Sequence, residues 1–313
     1  MTSTPSLPLE YSPQSARPSR AGGVALLIAA SVLWSLSGVV VKVVRIDSIA
    51  FAFWRSLAAA GVMAALLPLG RGRLPPLPWM LASATLYTVV VSLLITSMTA
   101  STAAVGILLQ YTAPVFCALF AWLFLRRRIS RGTLLAMAVA GVGIGIMIGG
   151  TWKHQTNGHS PDLTGPVTGL LSGAAFGALI LVLEKIDRAA GPGGANPFAI
   201  VLFNNAGAAA ILLPLCLTKH VLLAETWKLG LVCATGVVQL AIPYVLFQLA
   251  LRRVRPVDAS LLILLEPVLN PIWVALATSE RPDLFTIGGG AAILTAMVVE
   301  ALKPAREELP VGR

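Results

Sequence analysis

Ten long apolar runs divide this chain, near residues 22–44, 48–69, 77–98, 102–125, 132–150, 165–186, 197–217, 228–250, 258–279 and 284–302. Each is about 19–24 residues long, and an α-helix of that length crosses about 30 Å of hydrocarbon. Membrane strands would instead show about ten-residue stretches of alternating character, and the chain has none. Composition follows the same rule: 57% of residues are hydrophobic and 12% charged, against about 25% charged in a soluble domain. The expected fold class is an all-α integral membrane protein of ten transmembrane helices.

The first run, 22–44, exceeds the ~7–15 apolar residues of a secretory signal. The Pro- and Ser-rich stretch before it reads as a disordered cytoplasmic tail. Cys117, Cys216 and Cys233 all fall inside apolar runs, without CxxC or metal-ligand spacing. They read as packing residues, and neither a metal nor a cofactor is expected. The net charge of +10 lies between the runs, so its expected partner is the lipid surface rather than nucleic acid. With the amino terminus inside, sixteen of the 23 Lys and Arg residues fall on the inner side and six on the outer; Arg55 lies within a run. That bias places both termini in the cytoplasm.

The runs repeat. Leu108–Ser130 and Leu261–Asp283 align at a fixed offset, matching Leu108-Leu109 with Leu261-Leu262 and Pro114-Val115 with Pro267-Val268. LYTVVVS (from Leu86) resembles ATGVVQL (from Ala234), Trp79 and Trp227 open their runs alike, and FWRSLAAAG (from Phe53) resembles FNNAGAAA (from Phe203). Their common order points to a duplicated five-helix unit. Five is odd, so the second copy would enter the membrane inverted, an arrangement common in secondary transporters.

AFAFWRSLAAAG in the second run, GILLQYTAPVFCALFAWLFL in the fourth and LLILLEPVLNPIWVALATSER in the ninth resemble the drug/metabolite transporter superfamily, and within it the EamA-type branch of two tandem units. The resemblance covers Gly22 to Leu302. It implies an inner-membrane carrier, often an exporter of amino acids or other metabolites. The expected organisation is a cytoplasmic tail over 1–21, repeats over 22–150 and 165–302 joined by an outer loop at 151–164, and a tail over 303–313. Units of this family often end the fourth span with Gly-Glu. The second repeat keeps the acid in Ser279-Glu280, whereas the first has Arg126-Arg127-Arg128.

Charges inside the runs are few. An ionised side chain at a helix centre costs about 2.5–3.5 kcal/mol on insertion scales and normally faces a bundle interior or a water-filled cavity. Glu266 should lie roughly 12 Å from the inner surface and Arg55 roughly 10 Å from the outer one. They share a cavity if the second and ninth spans face each other. Glu266 then reads as a proton acceptor or a seat for a substrate ammonium, and the alternative is a fixed pair joining two helices. Arg55 reads as a clamp for a substrate carboxylate or a side chain snorkelling to the headgroups. Pro267 and Pro271 lack an N–H and clash with the preceding turn, freeing carbonyls near Ile263 and Pro267. Pro114 sits at the matching place in the first repeat, and Pro243 should kink the eighth span. Paired interrupted helices are a sequence pointer to a transport site. Gln110, Tyr111, Asn204, Asn205, Gln239 and Asn270 add polar groups at similar depth, and Trp34 offers a ring for stacking. Glycines four apart, at 165, 169, 173 and 177 and again at 141, 145 and 149, should let helix backbones approach.

Three histidines in expected outer loops match no paired-ligand spacing, and no Walker A loop is present. The expectation is therefore a secondary active transporter of a small metabolite, and not an enzyme. A channel or structural bundle is the alternative, an intramembrane enzyme a lesser one.

Overall fold

The computed structural model describes residues 20–155, 162–191, 194–251, 253–254 and 256–302. Residues 1–19, 156–161 and 303–313 of the expected tails and outer loop, with His159, lie outside the described residues. Among the described residues, ten helices are long and apolar enough to span a bilayer: Ala21–Val44, Ser48–Leu69, Leu77–Ala100, Ala103–Leu125, Arg131–Gly150, Thr164–Ala190, Pro197–Thr218, Thr226–Leu251, Ala259–Ala277 and Leu284–Ala301. The sixth runs past its apolar stretch because Glu184, Lys185, Asp187 and Arg188 continue the helix as a polar last turn. Large apolar side chains such as Phe124, Leu276 and Leu284 stand at least 71% exposed, which suits a surface covered by lipid rather than water.

Helix starts are set by side-chain caps at matching places in the two halves. Asp47 accepts from the backbone N–H groups of Ile49 and Ala50 at the second span. Asn196 accepts from Phe198 and Ala199 at the seventh. Ser130 accepts from Thr133 at the fifth span, and Asp283, its aligned partner, accepts from Thr286 at the tenth. Each such cap contributes about 1 kcal/mol by satisfying an orphan helix donor.

The most extensive packing pairs the spans as follows: fifth on tenth, second on seventh, third on sixth, first on eighth, fourth on sixth, first on ninth, second on eighth and third on seventh. Exchanging every span for the one five places away returns this same set of pairs. A buried apolar cluster joins the halves, with Val41, Phe51, Ile95, Leu109, Val232, Val274 and Ile293 among its members.

The sixth-span glycines behave as expected. A Cβ on Gly173 would lie 2.7 Å from the Leu109 carbonyl oxygen, and one on Gly177 would lie 2.7 Å from the Cys117 nitrogen. The fourth and sixth spans thus touch backbone to backbone. The fifth-span expectation is corrected: Gly141, Gly145 and Gly149 face open space. The close approach to the tenth span is made from the other side of that helix, by Gly143 against the Gly289 carbonyl oxygen and by Gly150 against Phe285. Spacing marks a face without saying what the face meets.

Candidate functional site

Three of the ten spans are broken. The fourth consists of Ala103–Gln110 and Ala113–Leu125, the ninth of Pro256–Ile263 and Leu265–Ala277, and the first of Arg20–Ser35 and Ser37–Val44. In the fourth and ninth, the break begins three residues before the aligned prolines, at Tyr111 before Pro114 and at Leu264 before Pro267. Pro267 cannot supply the N–H that would reach the Ile263 carbonyl four residues back. Pro271 is carried inside the ninth-span helix.

Tyr111 fills the space opened by the two breaks. Its hydroxyl lies 2.8 Å from Oε2 of Glu266 and 3.2 Å from the freed Ile263 carbonyl oxygen. One O–H cannot serve both fully, and the shorter contact is to the carboxylate, the stronger acceptor. Glu266 as a whole residue is partly buried.

Arg55 projects from the second span and is 7% exposed. That burial separates it from the snorkelling arrangement, in which the charged head stays in water. It lies within electrostatic reach of Tyr87 and of Glu266. Its Nε has no hydrogen-bond partner, and Arg55 makes no ion pair within 4.0 Å among the described residues. A buried donor left unmade costs about 1–3 kcal/mol, more when charged.

The eighth span completes this wall. Ahead of Pro243 its helix widens into a π turn, Val237–Ala241. Gly236, at the entrance to that turn, lies so close to the Arg55 carbonyl oxygen that a side chain would collide with it. Gln239 is buried in the π turn with its Oε1 unpartnered. Such turns occur often at functional sites.

The remaining expected residues make their hydrogen bonds and ring contacts with groups other than the carboxylate. Asn270, fully buried, donates from Nδ2 to the Ser35 carbonyl at 2.9 Å, so it covers the backbone exposed by the first-span break. Its Oδ1 is unpartnered. Trp273 donates to the Ser35 hydroxyl at 2.9 Å, reinforcing the same joint. Gln110 donates to Ser172 at 3.1 Å, and Asn204 accepts from Ser83 at 2.8 Å; both bonds link helices. Trp34 packs against Phe247, ring centroids 5.8 Å apart.

Two features escaped sequence reading. The first-span break at Leu36 has no proline to announce it; the only signal is the small-residue run Ser35-Leu36-Ser37-Gly38. Tyr87 was read as part of the repeat alone, yet it donates to Asn205 at 3.0 Å and lies in reach of both Arg55 and Tyr244. Tyr244 and Gln248 in turn line a cavity of about 410 Å³ together with Arg71, Asp187, Gly194 and Pro197. Tyr87 is thus electrostatically coupled both to a residue of this cavity and to Arg55. Among the described residues, no group of three or more His, Cys, Asp or Glu residues is arranged to hold a metal.

Ten apolar helices with paired breaks around buried polar groups define a multi-pass integral membrane protein of the transporter class. Residues 21–149 and 163–300 each match the EamA-like transporter family, and the chain belongs to that family. It is 29% identical over 196 residues to an uncharacterised transporter of Archaeoglobus fulgidus, a match covering 63% of this chain and 66% of the relative. It is also 29% identical over 196 residues to the pseudopaline exporter CntI of Pseudomonas aeruginosa strain UCBPP-PA14, covering 61% of this chain and 63% of that protein. The chain thus spans just under two thirds of the length of these curated relatives. A crystal structure with 16% sequence identity superposes with a TM-score of 0.58, covering 90% of this chain and 97% of the other, which supports the fold alone.

Proposed function

We propose that this protein is a secondary active transporter of the inner membrane. It exports a small zwitterionic metabolite, such as an amino acid or a related polar or amphipathic solute, by alternating access. Both termini lie in the cytoplasm, and the two halves, 22–150 and 165–302, stand as inverted repeats. The self-consistent exchange of packing partners and the aligned breaks support that relation.

The observation that carries the reading is Arg55: a buried guanidinium with an unmade hydrogen bond, in reach of a carboxylate held at twin helix breaks. An Arg fork matches a substrate carboxylate, and Glu266 offers the complementary seat for an ammonium or a proton. Coupling follows if Glu266 holds either the proton or the solute and not both. Gln239, Asn270 and Tyr111 add polar groups near the helix breaks. Export agrees with the exporter name carried by one relative.

The test is counterflow in proteoliposomes loaded with candidate amino acids. Saturable exchange in the parent protein, lost in Glu266→Gln with the melting temperature retained, is the expected result. Normal transport by Glu266→Gln at every pH would remove the acid from the mechanism, and unsaturable conductance would make the protein a channel.

A further inference from the structure

Two ion pairs stand at opposite ends of the fourth span. Where the 44–48, 100–103 and 277–284 segments meet, Lys42 Nζ lies 2.8 Å from Glu280 Oε2 and also donates to the Ser101 carbonyl oxygen. The other oxygen of Glu280 accepts from the Ala103 backbone N–H at 2.8 Å. The acid therefore holds the positive end of the fourth-span helix and a lysine of the first span together. At the opposite face, Arg127 binds Glu184 through two parallel hydrogen bonds, 3.1 and 2.9 Å long, and Arg188 joins the same carboxylate.

The pairs are counterparts. The offset that sets Pro114 on Pro267 also sets Arg127 on Glu280. Lys42 is the twenty-second residue of the first span, and Glu184 is the twenty-first of the sixth. One pair joins the first span to the segment after the ninth, and the other joins the sixth to the segment after the fourth. Only the signs are exchanged: the acid that follows the ninth span faces a lysine, and the arginine that follows the fourth faces an acid. The sign exchange keeps each pair attractive and makes a crossed arrangement repulsive.

We infer that Lys42–Glu280 and Arg127–Glu184 are the outer and inner gates of the transport cycle, worked alternately through the fourth span. This rests on the carrier reading above. Among the described residues, the fourth span is the element that both pairs hold, and its break places Tyr111 on Glu266. A shift in what Glu266 binds is transmitted to both ends of that helix. Release of one pair frees one end while the other pair keeps the opposite face closed. These are positioning residues, since none of them touches the solute.

Amide hydrogen exchange on the full-length protein in nanodiscs tests this, alongside counterflow. Glu280→Gln removes the charge while its amide oxygen still caps Ala103. It should speed exchange over 42–48 and 278–284 and slow it over 126–131 and 184–190, each by about threefold to fivefold, as a ~1 kcal/mol bias of a two-state balance gives. Arg127→Gln should produce the opposite pattern. A merely structural pair would loosen only its own end, and that result, or faster exchange at both ends, overturns the gates. Lys42→Gln breaks the same outer pair if Glu280→Gln fails to fold. Reciprocal exchange in a protein that moves no tested solute would leave the gates standing and count against the substrate reading. Counterflow without reciprocity would do the reverse.

Discussion

Arg55, Glu266 and Tyr111 are worth separating at the scale of single residues, because each answers to a different cost. Arg55 carries an unmade buried hydrogen bond, whereas Glu266 has a donor 2.8 Å away. Tyr111→Phe would leave the Ile263 carbonyl and the carboxylate without that hydroxyl. We expect a loss of about 1–3 kcal/mol, seen as a counterflow efficiency lowered about 5- to 150-fold at unchanged expression. A rate equal to the parent's would place Tyr111 outside the site. Arg55→Lys keeps the charge but not the fork geometry. It should raise the half-saturation concentration for solutes bearing a carboxylate and leave their decarboxylated amines little changed, as measured by counterflow competition.

At the scale of elements, the sixth span is the surface on which the fourth is laid. An added methyl at Gly177 meets backbone atoms of Cys117 and Ala113, 2.7 and 2.8 Å away, which a side-chain rotation cannot relieve. Gly177→Ala should therefore lower stability by about 1–3 kcal/mol. Gly141→Ala, which meets nothing within 4 Å, should be neutral or stabilising by up to ~1 kcal/mol through helix propensity. Thermal melts in one detergent compare the two. The same pair of helices shows what the sequence reveals. The ten spans and the breaks at Pro114 and Pro267 were legible, because hydrocarbon thickness and a missing N–H act locally. Which fifth-span glycines meet a neighbour was not, since the tenth span that Gly143 and Gly150 touch lies well over a hundred residues away. The break at Leu36 was hidden for a related reason. Besides the local Ser35–Val32 hydrogen bond, it is held by Asn270 and Trp273, residues of another helix. The proximity of Arg55 to Glu266 likewise depended on how the second and ninth spans pack, which local pattern does not encode.

For the whole molecule, an even number of spans returns the chain to the side from which it started, and the proposed topology puts that side in the cytoplasm, as the Lys and Arg imbalance favours. Reporter fusions active only in one compartment should report the same location when attached at residue 1 and at residue 313, and the opposite one when inserted near residue 157. Agreement of all three would overturn the proposed topology. The aligned breaks carry a consequence for transport in the two directions. Tyr111 has Leu264 as its counterpart, and Glu266 has Ala113. The frame is duplicated but its polar equipment is not: one half brings the phenol, the other the acid. A solute arriving from the cytoplasm and one arriving from outside would meet unlike faces of a single lopsided seat. Half-saturation constants measured from the two sides of oriented vesicles should accordingly be unequal, with maximal velocities compensating so that no net flow occurs once the gradients are gone.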